Sequence, residues 1–344
     1  MAPYLGIHWS PLPVLASTLL TAGLLFGVRL LRQRRPDFGA SPRARLAFRK
    51  PAKADVVAAV GFLAGSTSIA LQLHQAFGRP ENISQMFVNV FHLKAVRYIL
   101  DSGNASSLTL SSMTSGDSPP YFYPAAWHGL ASLLVQVNGA QISVAVNILN
   151  ICVAATVWTA GCMFLARAVV RPNAYAVAAA RVLAAGFGSF PLLLDFGVLN
   201  PNLLSVSLIH ASLACFSMFF GISDAPGPMG MARFILAPVA AIGAAIAHPN
   251  GLMSLLALSI PVLVVSFIGF SLARYRSGRG HKGTLLTGAG LLGILGVVAV
   301  MWRYIRPPAE AASWLPFQTP GQAVGEIITT PPCSVPRPGR LASC

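Results

Sequence analysis

Residues 142–166 read ISVAVNILNICVAATVWTAGCMFLA, a run of 25 positions without a single Asp, Glu, Lys or Arg. A bilayer core asks for about 20 apolar residues in one helix, so this stretch reads as a membrane span. Working outward, Leu12–Leu31, Asp55–Phe77, Ala174–Leu194, Asn202–Ile222, Arg233–Ala247, Gly251–Ala273 and Thr284–Trp302 repeat the pattern. Hydrophobic residues make up 55% of the chain and charged residues 10%, against about 25% charged in soluble domains. The mean hydropathy of +0.66 agrees. The expected fold is all-α: a polytopic transmembrane helical bundle of about eight spans. The sixth span is short and holds Pro238, which predicts a kink. The first is too long, and wrongly flanked, for a cleaved signal peptide.

The chain carries 24 Lys and Arg against 9 Asp and Glu, for a net charge of +15. On a soluble chain that excess would point to nucleic acid. Here the cations gather in short loops, 32–54, 167–173 and 274–283, which the eight spans place on one side. The positive-inside bias makes that side cytoplasmic and excludes a polyanion-binding surface. The opposite face receives residues 78–141, the turn from Asp195 to Pro201, the turn His248–Pro249–Asn250 and the residues after Trp302. The expectation is a multi-pass protein of the cytoplasmic (plasma) membrane, with the lipid bilayer as partner and its chemistry on the extracytoplasmic face. Residues 1–330 form the integral membrane domain, with 78–141 as its large external loop. The Pro-rich 331–344, PPCSVPRPGRLASC, reads as the tail of a truncated or frame-shifted C-terminus. Five cysteines without CxxC or Cys/His spacing indicate neither a zinc site nor a disulfide framework.

Chemistry has few places to sit in such a chain, and the external loop is the largest. From Ile83 to Leu100, Phe87, Phe91, Ala95 and Tyr98 or Ile99 recur at helical spacing, while Gln85, Asn89, His92 and Arg97 fall on another face. This predicts an amphipathic helix on the outer membrane surface. Asn89 and His92 share a face, either as substrate contacts or as a solvated polar side. Arg97 and Asp101, four apart, read as a helix-stabilising ion pair. Ser102–Gly103–Asn104 is a stop signal. A Ser/Thr-rich loop then runs through Asp117 to Tyr121, Phe122, Tyr123, Pro124, Trp127 and His128. These aromatics read as an interfacial belt or, with His128, as faces for a sugar ring or lipid head group. Tyr123–Val137 suits a re-entrant or interfacial helix better than a full crossing.

Asp195 stands at the outer end of a span, where an ionisable group costs about 2.5–3.5 kcal/mol at membrane depth and asks for a reason. The turn at His248, AHPNG, reads as a capping motif. Arg181 and His210 lie within spans, as inter-helix hydrogen-bonding groups or, for Arg181, a snorkelling cation.

Four blocks carry a likeness: FHLKAVRYILDSGNASSLTL (91–110), YFYPAAWHGLASL (121–133), FPLLLDFGVLNPNLLS (190–205) and AHPNGLMSLLALSIP (247–261). Together they resemble an actinobacterial family of multi-pass membrane proteins that is in turn similar to the C-type polytopic glycosyltransferases. Those enzymes take sugars from polyprenyl-phosphate donors outside the membrane. The resemblance implies His92 and Asp195 as catalytic residues, with Asp195 also holding a divalent metal ion. It implies Tyr123, His128, His248 and Asn89 as substrate contacts, and a polyprenyl-phosphate sugar as donor. The family's first acid, one turn before the histidine, falls here on Val88, which neither takes a proton nor binds metal. The expectation is therefore a glycosyltransferase-like envelope protein whose copy is degenerate or truncated. The alternatives are a transporter or lipid carrier, which would need a polar midplane cavity, and a non-catalytic envelope assembly subunit.

Overall fold

Apolar periodicity becomes helix throughout, and among the described residues there is no strand. The computed structural model describes residues 6–33, 52–116, 119–170, 173–186, 190, 194, 198–222, 231–278, 281–305 and 319–321. In chain order the helices are α1 (Pro11–Gln33), α2 (Lys53–Phe77), α3 (Phe87–Ser102), the single turn α4 (Ser112–Ser115) and α5 (Ala126–Asn138). Next come α6 (Ile142–Val169), α7 (Ala174–Ala185), α8 (Asn200–Phe219), α9 (Met231–Ala247), α10 (Pro249–Arg276) and α11 (Lys282–Ile305).

Each of the eight apolar segments coincides with a helix. Four of these, α2, α6, α8 and α10, are long and apolar enough to cross a membrane, whereas Pro11–Gly27, Ala174–Ala185 and Phe234–Ala247 are shorter apolar stretches. The fourth expected span ran to Leu194, but α7 stops at Ala185 with Gly186 after it. Asp195, Asp117, most of the basic loop 32–54 and the tail 331–344 lie outside the described residues.

The chain divides into two compact units, one of Met1–Val57 with Pro80–Leu149, the other of Ala58–Arg79 with Asn150–Cys344. In the first, α3 closes at Gly103, whose φ of 64° only glycine adopts without strain and whose N–H reaches the Ile99 carbonyl at 2.9 Å. The core joins Ala95 and Ile99 of α3 to Leu110 and Ala125, with Trp9, Phe91, Tyr98 and Tyr123 packed around them. Trp9 arrives from the segment before α1, donating Nε1–H to the Gly129 carbonyl at 3.1 Å and its backbone N–H to the Gly103 carbonyl at 2.7 Å.

The second unit is built on α8, which contacts α6, α9 and α10. Lipid tails are as apolar as leucine, so membrane helices associate through close packing and polar contacts rather than hydrophobic burial. Both devices are present. A Cβ on Gly61 would come within 2.9 Å of the Ala178 Cα, and one on Gly65 within 2.7 Å of the Arg181 carbonyl, so α2 and α7 meet backbone to backbone. Arg181 donates to the Ala58 carbonyl at 3.0 Å and lies over the Phe62 ring at 4.4 Å, making it the inter-helix donor its position suggested. Ser205 Oγ donates to the Ala244 carbonyl at 2.9 Å, and Ser212 Oγ to the Ala240 carbonyl at 3.2 Å.

Within α6, Val153–Trp158 winds as π-helix, a local widening that nothing in the sequence announces. Thr156 Oγ1 donates to the Cys152 carbonyl at 2.6 Å. At the end of the widened stretch the Trp158 ring stacks on Phe190 with centroids 3.9 Å apart and meets His210 edge-on at 4.5 Å.

Candidate functional site

The functional residues foreseen in the external loop are brought together by α3 and α5, and the local reason begins with the loop between them. Residues 119–125 precede α5 without regular secondary structure, and Ala125 already lies in the helical region (φ −98°, ψ −7°). The Ser/Thr-rich loop holds this segment in place. Tyr123 N–H donates to the Ser107 carbonyl at 2.8 Å, Ala125 N–H to Ser107 Oγ at 3.1 Å, and Tyr121 N–H to Ser111 Oγ at 2.7 Å. Backbone N–H groups outside regular secondary structure are thus satisfied by serine, and α5 starts with Trp127 and His128 turned inward, both fully buried.

Against them lies α3, and its inner face differs from the expected one. The buried positions are Asn89, His92, Ala95, Val96 and Ile99, whereas Phe87 is 79% and Val90 53% exposed. Spacing fixes which residues share a face but not which face turns in. The face carrying Asn89 and His92 is the packed one, so neither is a solvated polar position. The boundary also moves, because Met86 is extended (φ −67°, ψ 133°) and the helix begins at Phe87 rather than Ile83.

His92 Nδ1 and His128 Nε2 are 2.9 Å apart, a hydrogen bond between two buried imidazoles 36 positions apart in sequence. Phe91 and Trp127 stand edge-on to both rings, and Tyr123 is tilted over His128 with centroids 5.9 Å apart. Burial first, and then the neighbouring His92, hold His128 well below the ordinary imidazole range. The Pro124 carbonyl one turn back pulls the other way, although His128 Nδ1 does not meet it with full hydrogen-bond geometry. With the His128 proton on Nδ1, its Nε2 accepts from His92 Nδ1–H; with the opposite tautomers the roles exchange. Burial, with Tyr121 adding to it, pushes the Tyr123 phenol up to about 12. His128 and Tyr123 are therefore neutral at pH 7, and they stand against the His92 imidazole and the Trp127 indole, both buried.

Asn89 uses its amide on the Ser84 carbonyl at 3.0 Å, which ties the start of α3 to the segment before it. Arg97 and Asp101 form the expected pair, at 2.7 and 2.9 Å, on the exposed side of α3. In the second unit His248 caps α10, accepting from Asn250 N–H at 3.1 Å, with burial lowering its proton affinity to match. Asn250 Nδ2 reaches Asn202 Oδ1 at 3.4 Å, and a Cβ on Gly251 would collide with Ser205 Oγ. Val198, three residues past Asp195, has a φ of 51°, a conformation that β-branched residues avoid and that is usually held in place for a reason.

Magnesium or manganese does not fit at the histidine pair. Magnesium and manganese want oxygen ligands, whereas the donors here are two imidazole nitrogens already bonded to each other. Among the described residues no three His, Cys, Asp or Glu side chains gather, and Asp195 lies outside them. Trp9 carried no expected role, and Phe91, expected on an apolar helix face, and Trp127, expected in an aromatic belt or a sugar-binding face, were not foreseen as flanking the histidine pair. Only the long-range contacts reveal them, and a tryptophan before the first span carries no signal of its partner 120 positions later.

The chain belongs to the family of unknown function DUF6541, whose pattern matches residues 1–341. No curated protein and no solved structure matches it.

Proposed function

We propose that this chain is a glycosyltransferase-like, multi-pass protein of the cell envelope, descended from enzymes that use polyprenyl-phosphate sugars and impaired at its catalytic base. On this reading, about eight spans would put the 78–141 loop outside the cytoplasmic membrane. The observation that carries the reading is the pairing of the four resembling blocks. The 91–110 and 121–133 blocks meet through His92 and His128, and the 190–205 and 247–261 blocks through Ser205, Gly251, Asn202 and Asn250. Within each unit, the resembling segments are thus joined to each other by their own residues.

A sugar transfer needs a base on the acceptor hydroxyl. Val88 occupies the helical position one turn before His92, on the same side of α3, so a carboxylate there would stand beside the imidazole pair. His128 and Tyr123 would then line the acceptor side; Asp195, the second acid that the resemblance implies, lies outside the described residues. The test is Val88→Asp in the full chain, with sugar transfer measured in membranes supplied with polyprenyl-phosphate sugars. Transfer above that of the unchanged chain is expected. No gain, with His92 and His128 intact and the variant folded, contradicts the lost-base reading.

A further inference from the structure

A second feature of the first unit lies away from the histidine pair. Ile83, Leu93 and Leu100 on one side and Val135 and Ile142 on the other wall a groove of about 500 Å³, and Arg97 is the single charged residue along it. Neither His92 nor His128 belongs to it.

From this we propose that the groove holds a membrane phospholipid with an anionic phosphate headgroup, acyl chain on the five apolar walls and phosphate on Arg97. Two observations select that occupant. The groove includes the first residue of α6, a helix long and apolar enough to cross a membrane, so its apolar walls open where acyl chains are at hand. Its charge is positive and is held in a fixed direction. Asp101 takes the Nε and Nη2 edge of the guanidinium at 2.9 and 2.7 Å, which leaves the Nη1 edge for a phosphate in the planar, two-pronged manner arginine favours. The Arg97 and Asp101 side chains are 67% and 56% exposed, so the pair is held by little energy and the guanidinium can take a phosphate on its remaining edge. Asp101 acts as an aiming partner. The proposal is independent of sugar transfer.

The test uses the full-length protein in detergent, titrated with dioleoylphosphatidylglycerol, dioleoylphosphatidylcholine or inorganic phosphate and read by native mass spectrometry. Phosphatidylglycerol is expected to bind in preference to phosphatidylcholine. Arg97→Gln should lower that preference by about fivefold, the effect of one basic side chain at an anionic surface. Asp101→Asn should keep or raise it, and Leu93→Trp should weaken both lipids by filling the groove. Both polar changes are on exposed side chains, and unchanged melting of these variants establishes that they fold. An undiminished preference in Arg97→Gln overturns the proposal, as does a loss in Asp101→Asn equal to that in Arg97→Gln. Displacement of the lipid by millimolar inorganic phosphate also overturns it, because the site would then be one for free phosphate.

Discussion

Replacing His128 with phenylalanine keeps a ring against Phe91, Tyr123 and Trp127 but deprives His92 Nδ1 of its hydrogen-bond partner 2.9 Å away. Removing one member of a buried hydrogen bond costs about 1–3 kcal/mol, because the remaining group has been taken from water. The extra ring atom in a closely packed site adds about 1–3 kcal/mol of overpacking. His92→Phe incurs the same two costs from the other side. The double variant His92→Phe/His128→Phe incurs the overpacking twice but strands neither member of the bond, so it should be less destabilised than the sum of the singles by about 2 kcal/mol or more, the two stranding costs. Unfolding of the full chain by sodium dodecyl sulfate in mixed micelles measures each step. Tryptophan fluorescence is a suitable probe, because Trp127 has ring centroids 5.8 Å from His92 and 5.2 Å from His128. Strict additivity would refute the claim that the two imidazoles are bonded in a dry setting.

The same pair should make the protein acid-sensitive. His128 has a folded proton affinity below its unfolded value, so the unfolded chain binds more protons once pH falls below about 6.5, and stability declines from there downward. The slope is at most about 1.4 kcal/mol per pH unit for one group, and it should become shallower in His92→Phe/His128→Phe when melting is followed from pH 7.5 to 5, the remainder including the half-buried His248. Gly65→Ala should drive its new methyl against the Arg181 carbonyl, 2.7 Å from the ideal Cβ position, and lower stability by about 1–3 kcal/mol. Gly23→Ala, where a Cβ meets nothing within 4 Å, should not. Ser111→Ala removes the hydroxyl that accepts from Tyr121 N–H and donates to the Tyr121 carbonyl. It should cost about 1–3 kcal/mol and increase hydrogen exchange at the Tyr121 and Tyr123 amides.

Much of this architecture was legible because a membrane span announces itself by length and composition alone. The uncharged run at 142–166 became α6, and Gly103 capped α3 where the Ser–Gly–Asn signal stood. The orientation of α3 was not legible. Phe87, Phe91 and Ala95 looked like the buried stripe, but Phe91 and Ala95 turn inward with His92 and Val96 while Phe87 faces out. The deciding factor is a partner 36 residues away, held by Ser107 and Ser111, and periodicity within one helix carries no trace of it. The π-helical stretch at Val153–Trp158 and the docking of Trp9 on Gly129 were equally silent, since each depends on contacts between helices. His248 was legible as a cap, and its N-cap bond to Asn250 accounts for the turn.

Topology underlies the whole functional reading, and paired reporter fusions measure it directly. Alkaline phosphatase, active only outside the cytoplasm, and green fluorescent protein, fluorescent only inside, would be joined after Asn104, Asn173 and Ser277. Phosphatase activity at Asn104 with fluorescence at Asn173 and Ser277 is the expected pattern. Fluorescence at Asn104 would put His92 and His128 in the cytosol and contradict an extracytoplasmic sugar-transfer ancestry.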